Sequence, residues 1–371
     1  LLLIDTSEST IFHGLEMSRK PWAYQTPSAM VTRSAKAMQA DFKIACTGTP
    51  VENSLADLWC LFDFFQPGLL DSLTKFTKVF RQQIELRSEG HEQKVEVLRE
   101  QISPWVLRRM KAEVADLKPK TELPCELAMS AKQRGLYAAA ARRFRETVDS
   151  GEGGDTAALS LLHQLRQICA NPLAAADDRS EFLSLDEHLR HSPKLAWLIE
   201  KLQEIQATGE KVIVFTEFRD IQRLIQRAIA SRLSYQASIV NGSTSVEAGA
   251  DDSRQIIIDA FQAKPDFGVI VLSTTAVGFG VNIQAANHVI HFTRPWNPAK
   301  EDQATDRAYR IGQEKEVFVY YPTVLGDGFE SFEERVAKRL ATKRKLSNDM
   351  LAPEQGLTLE EFSDLSLGFS E

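Results

Sequence analysis

The amino-acid sequence predicts an α/β fold, a parallel sheet flanked by helices, and three observations carry that expectation. Short apolar segments alternate with helical ones through the second half of the chain, at 211–216, 238–240, 267–273, 288–292 and 317–321. This is the rhythm of βαβ units with right-handed crossovers. The segment Lys211-Val-Ile-Val-Phe-Thr is apolar without alternation, as a strand buried on both faces must be. Threonines, glycines and arginines fall where the strands end, and ligands of parallel sheets gather beyond the carboxyl ends of the strands.

Taken in chain order, residues 1–25 carry no assignable pattern beyond Leu-Leu-Leu-Ile followed by Asp5 and Glu8. Asp41-Phe-Lys-Ile-Ala-Cys-Thr-Gly-Thr-Pro reads as a short strand running into a turn made by Thr47, Gly48 and Thr49. A helix should follow, started by Asn53 and Ser54 with the Asp57 carboxylate in its first turn. From about Leu55 to Ser192 the chain is helical and charged, with short breaks such as Gly151-Glu-Gly-Gly-Asp. Arg108, Arg109 and Lys111 form its clearest basic cluster, suited either to phosphates or to carboxylates of a neighbouring domain. Leu161, Leu162, Leu165, Ile168 and Cys169 have the spacing of a packed helical face. Helices are expected at 194–207, 219–232 and 254–262, between the strands named above. The basic run from Phe332 to Leu346 reads as a helix with a solvated face. Residues 351–371 form an acidic tail with a short helix at 359–364.

With 371 residues, 43% of them hydrophobic, the chain is long enough for two domains with buried cores. Cys46, Cys60, Cys125 and Cys169 are far apart and form no CxxC pair. That pattern implies reduced thiols in a cytoplasmic compartment and neither a disulfide frame nor a zinc site. No apolar run reaches the roughly 18 residues of a membrane span, so no membrane partner is expected. A net charge of −7 means that any basic footprint must be local.

The chemistry concentrates between 273 and 313. Arg307 and Arg310, three residues apart in Asp302-Gln-Ala-Thr-Asp-Arg-Ala-Tyr-Arg-Ile-Gly-Gln, should share one helical face. Two guanidinium groups held together suit a nucleotide γ-phosphate, because arginine stays charged and bonds phosphate oxygens bidentately. The alternative is a solvated pair with Asp306 as a salt-bridge partner. Gly278 and Gly280 lie at a strand-to-helix passage, where glycine lets backbone N–H groups approach a phosphate or simply makes a tight turn. Ser273, Thr274 and Thr275 carry hydroxyls fit either for phosphate contacts or for capping. Gln303 could position a nucleotide or bond backbone, and Trp296 reads as a turn anchor.

Thr47–Pro50, Thr216-Glu-Phe, the run Ser273–Pro298 and the ending Arg-Ile-Gly-Gln together resemble the Swi/Snf-type ATPases, bacterial-like members of the DNA-translocating branch of helicase superfamily two. The resemblance starts near Thr26 and continues to about Met350. It implies RecA-like lobes: an unmatched segment at 1–25, a truncated first lobe at 26–70, a linker with helical protrusions at 71–192, and a second lobe with its brace helix at 193–350. It implies that Arg307 and Arg310 complete an ATP site as arginine fingers, with Gln303, Asp306, Gly278 and Gly280 at the nucleotide. Ser273, Thr274, Thr275, Thr216, Arg108 and Arg109 would meet DNA, and Thr47, Gly48 and Thr49 would couple nucleotide state to lobe closure.

A superfamily-two ATPase also needs a Gly-Lys-Ser or Gly-Lys-Thr loop and an acidic box for magnesium, and neither occurs in these residues. Asp5 and Glu8 have the wrong spacing for the box. The expectation is the carboxy-terminal part of an ATP-dependent translocase, a remnant interrupted in its first lobe and inactive alone. Its cofactor would be ATP with Mg2+, and its partners double-stranded DNA and a polypeptide carrying the missing lobe, in the cytoplasm at the nucleoid. The alternative is a non-catalytic DNA- or protein-binding remnant. A first lobe so shortened should expose apolar surface around Trp59, Leu61, Phe62, Phe64 and Phe65.

Overall fold

The computed structural model describes residues 2–5, 30–37, 40, 42–47, 51, 54–86, 88, 90–109, 117–149, 155–174, 183–244, 253–274 and 281–346. They form two compact units, one built chiefly on Leu1–Leu117 and the other on Lys118–Trp296 with Lys300–Ala341.

In the first unit, three parallel strands, β1 (Leu2–Asp5), β2 (Ala45–Thr47) and β3 (Val106–Arg109), stand in the order β2-β1-β3. The helix Leu55–Phe65 begins with a capping box. Ser54 Oγ accepts the Ala56 N–H at 3.2 Å, and Asp57 Oδ2 accepts the Ser54 N–H at 3.1 Å, satisfying donors that a helix start leaves open. The helix is not the exposed apolar surface that a shortened lobe suggests. Leu61, Phe62, Phe64 and Phe65 are buried, and Trp59 is half-buried. The reason is local: Phe76, Ile84, Leu98 and Ile102, from the helical segments between 73 and 102, close over them in one core.

The second unit is a six-stranded parallel sheet in the order β4-β9-β8-β5-β7-β6, with β4 at Lys120–Ala128, β5 at Lys211–Phe215, β6 at Ser238–Val240, β7 at Gly268–Leu272, β8 at His288–His291 and β9 at Val317–Leu325. Strand β5 is central, pairing β7 on one side and β8 on the other. Its residues alternate between two cores. Val212 and Val214 join Leu195, Leu198, Leu202, Ile225 and Ile229 of the helices Pro193–Thr208 and Arg219–Leu233. Ile213 and Phe215 join Ile258 and Phe261 of the helix Arg254–Ala263, together with Ala304 and Ala308.

Strand β4 lies in the stretch whose sequence reads as helical linker. Thr121, Leu123, Cys125 and Leu127 are half-buried, whereas Lys120, Glu122, Pro124, Glu126 and Ala128 face outward. It pairs β9 over nine residues, from Lys120↔Val317 to Ala128↔Leu325.

The helices Ala131–Asp149 and Asp155–Ala170 pack with Phe332–Leu346 through Tyr137, Leu165, Cys169, Phe332, Val336 and Leu340. Lys194, 1% exposed, anchors this layer to the sheet. Its ammonium donates to the Phe292 carbonyl at 2.9 Å and pairs with the Glu333 carboxylate, whose other oxygen accepts the Val324 N–H at 2.9 Å.

Candidate nucleotide and nucleic-acid site

The carboxyl edge of the second sheet gathers polar side chains from four strand ends. Thr216 follows β5, Asn241 follows β6, Ser273 and Thr274 follow β7, and Thr293 follows β8. They are tied together. The Thr293 hydroxyl donates to Thr216 Oγ1 at 3.1 Å. Gln222 donates to the Thr216 carbonyl at 2.7 Å and accepts from Asn241 Nδ2 at 2.8 Å. The Ser273 N–H bonds the Val240 carbonyl at 3.1 Å. Thr216 is fully buried, so its hydroxyl shapes the strand end from within.

Glu217 stands at the same edge as a carboxylate that accepts from two sides. The Thr274 hydroxyl bonds one oxygen, and Arg166 Nη1, from the helix Asp155–Ala170, bonds the other at 3.2 Å. Arg166 Nη2 also holds the Arg294 carbonyl at 2.8 Å, and its guanidinium lies 5.2 Å from the Phe218 ring centre. Arg166 is thus a structural tie between the helix Asp155–Ala170 and the strand ends. Sequence periodicity gives it no signal, because its partners are distant in the chain.

The arginine pair occupies a different backbone from the one its spacing implies. The helix Pro298–Thr305 ends before it, and 306–312 continue as turns. The Arg307 N–H still bonds the Ala304 carbonyl at 3.2 Å, and the Tyr309 N–H bonds Thr305 at 3.1 Å. The Arg307 carbonyl, however, accepts from the Ile283 N–H at 2.9 Å, so it is engaged outside the helix. Gly312, at φ +95, takes a conformation that side chains resist. Arg307 and Arg310 are 2% and 5% exposed, large cations withdrawn from water.

Gln313 fastens this loop. Its side-chain nitrogen donates to the carbonyls of Gln284, Ala286 and Ala308 at 3.0, 2.8 and 3.2 Å, and its oxygen accepts the Lys315 N–H at 3.0 Å. Gln284 returns a bond to the Ile311 carbonyl at 2.6 Å. The arginine loop and the segment 281–287 are therefore one hydrogen-bonded unit. Gln303 and Asp306 are half-buried, the first within the preceding helix and the second immediately after it.

Thr275, Gly278, Gly280, Gly48 and Thr49 lie outside the described residues. Thr47 ends β2, and Arg108 and Arg109 end β3, where they pair with Ile4 and Asp5 in the backbone register; these side chains are also outside the described set. Among the described residues no group of three or more His, Cys, Asp or Glu side chains is placed to hold a metal ion, and no helix is long and apolar enough to cross a membrane.

Known proteins match both halves of the chain. The SNF2-related domain model matches residues 24–174, and the helicase conserved C-terminal domain model matches residues 193–312. The chain is similar to the Zorya protein ZorD of Escherichia coli O139:H28, with 45% identity over 383 residues that cover 99% of this chain and 35% of that protein. It is similar to the Sulfolobus solfataricus SWI2/SNF2 ATPase core in complex with dsDNA, with 32% identity, 92% of this chain and 70% of that chain covered, and a TM-score of 0.50. It is also similar to the SWI2/SNF2 ATPase core domain of that organism, at 33% identity, with 91% and 67% covered and a TM-score of 0.52. The chain spans about a third of the length of the curated relatives it matches. The likeness to the two core structures extends along most of both chains, and the protein belongs to the SWI2/SNF2 family of ATPases in helicase superfamily two.

Proposed function

We propose that this chain is the carboxy-terminal share of an ATP-dependent DNA translocase, in which Arg307 and Arg310 act on the γ-phosphate of ATP. The observation that carries the proposal is the arginine loop itself: two cations, 2% and 5% exposed, on a backbone pinned by Ile283 and Gln313. Fixed cations stabilise the charge that spreads over a transferring phosphoryl group without reorganising at the moment of reaction. Gln303, Asp306 and the glycines 278 and 280 would face the nucleotide. Thr47, Gly48 and Thr49 would couple its state to lobe closure.

DNA would run along the carboxyl edge of the second sheet; that the similar Sulfolobus core is a complex with dsDNA supports duplex DNA as the ligand. Ser273, Thr274 and Thr275 would present hydroxyls to its phosphates, and Arg108 and Arg109 are further candidate DNA contacts. Thr216 acts indirectly, by holding the end of β5. Residues 26–70 belong to the first lobe, 71–192 to the linker and protrusions, and 193–350 to the second lobe in this assignment. Mg2+ favours carboxylate and phosphate oxygens. The described residues offer it no such cluster. The phosphate loop and acidic box that would hold ATP and Mg2+ do not occur in this sequence, and in this reading another surface would supply them.

The test is DNA-stimulated ATP hydrolysis by the protein that carries both halves of the site, beside this chain alone. Turnover should require duplex DNA and fall by about 10³-fold or more with Arg307→Ala or Arg310→Ala, the range of arginine fingers. Arginine variants that retain full turnover would overturn the assignment. Turnover by this chain alone would show that it holds a complete ATP site.

A further inference from the structure

We propose that His291 and Arg294 are positioning residues for the arginine loop, acting through the helix Pro298–Thr305; this rests on the reading of Arg307 and Arg310 given above. The helix is held at two points on one face. Glu301 is fully buried, and Arg294 meets it bidentately, Nε to Oε2 at 2.7 Å and Nη2 to Oε1 at 2.8 Å. One turn later, Thr305 Oγ1 hydrogen-bonds His291 Nε2 at 2.8 Å. Residues four apart lie above one another on a helix, so Glu301 and Thr305 present one face to the strand ends.

The anchors are themselves immobilised. The His291 ring is stacked between Phe215 and Tyr321, with centroids at 5.3 and 5.4 Å and interplanar angles of 18° and 8°. The Arg294 guanidinium lies 4.5 Å from the Tyr321 ring centre, and Arg166 holds the Arg294 carbonyl. From Thr305 the connection to the loop is immediate. The Thr305 carbonyl accepts the Ala308 and Tyr309 N–H groups at 3.0 and 3.1 Å, and the Ala304 carbonyl accepts that of Arg307. A shift of the helix end therefore moves Arg307 and Arg310 with it.

A buried carboxylate is expensive to retain for packing alone, whereas a bidentate pair fixes direction as well as distance. Displacement of a catalytic group by about 1 Å can lower turnover about 10²-fold. The pair thus acts on turnover rather than on nucleotide affinity.

Two arms test this in the protein that carries both halves of the site. Hydrogen-exchange mass spectrometry on a peptide covering 281–287 reads the Ile283 amide, which bonds the Arg307 carbonyl. With Glu301→Gln, and separately with Thr305→Val, that peptide should exchange about tenfold faster or more, while β5 and β7 keep their protection. Unchanged protection of 281–287 in both variants overturns the proposal, as does equal loss of protection throughout the sheet.

In the kinetic arm, Glu301→Gln should lower kcat about 10- to 100-fold with KM for ATP within about threefold. In an Arg307→Ala/Arg310→Ala background it should cost less than about twofold, since both groups it positions are gone. A full loss in that background would mean that Glu301 does not act through the arginine pair, and would overturn the proposal. If Arg307→Ala alone leaves turnover intact, the arginine-finger reading fails, and the exchange arm still decides whether the helix positions the loop.

Discussion

Replacing Gln313 by glutamate exchanges one NH2 group for oxygen and leaves the side-chain shape intact. In the native loop that nitrogen faces three carbonyls, of Gln284, Ala286 and Ala308, between 2.8 and 3.2 Å away. An amide nitrogen carries two protons, so the three contacts amount to about two full hydrogen bonds, worth about 1 kcal/mol each. Gln313 is 7% exposed, and carbonyls left facing a carboxylate add a desolvation penalty of about 1–3 kcal/mol. The expected loss is about 3–5 kcal/mol. At about 2–4 °C per kcal/mol for a unit of this size, Tm should fall by about 6–20 °C in differential scanning calorimetry. Gln313→Ala, which removes the bonds without adding charge, should lose less. A Glu variant within about 1 kcal/mol of the parent would refute the idea that this side chain holds the loop.

Lys194→Met should destabilise by about 3–5 kcal/mol, because it strands the Glu333 carboxylate, 11% exposed at the side chain, without its cation; adding Glu333→Gln should restore much of this in thermal unfolding. Stability should fall with acid in two stages. Burial holds His288 below its ordinary 6.5 although Glu210 opposes it, so the unfolded chain takes up the proton first and stability declines as pH drops below 6.5. Burial raises Glu210, but hydrogen bonds from His288 and Lys315 outweigh it and hold it below 4.5, so its contribution is lost only in stronger acid. Urea unfolding against pH should show a flatter upper stage for His288→Gln. Ser54→Ala should cost about 1 kcal/mol through loss of the capping box, seen as faster amide exchange at the start of the helix Leu55–Phe65.

Much of the second unit is legible in the sequence. Strands β5, β7 and β8 are buried at every residue, and burial on both faces demands such apolar runs, while β6 and β9 are read from their place in the alternation with helices. Strand β4 is not legible in the same way. Its signal is a two-residue alternation inside a charged stretch, and Pro124 argues against a central strand while suiting an edge. Strand β1 is four residues long, too short to carry a period, yet it takes the middle of its sheet.

The arginines stand out as a pair, but i, i+3 spacing presupposes a helix. That helix ends at Thr305, and the Arg307 carbonyl is satisfied by Ile283, a partner that only the fold supplies. Glu217 and Arg166, 51 positions apart, meet for the same reason. Gln313 is conspicuous as the last letter of a motif, but nothing local shows that it binds three carbonyls.

The pairing of β4 with β9 also sets an order of events during synthesis. Each residue of β4 finds its partner roughly 200 positions later, so at about 5–20 residues per second the strand waits about 10–40 s on the ribosome before its ladder can form. Through that interval Leu123 and Leu127 have no sheet to lie on. Lys120, Glu122, Pro124 and Glu126 alternate with them, and charge and proline are the devices that keep a lone strand from pairing with the wrong neighbour. The composition that hides β4 from a sequence reader would then protect the nascent chain until β9 emerges.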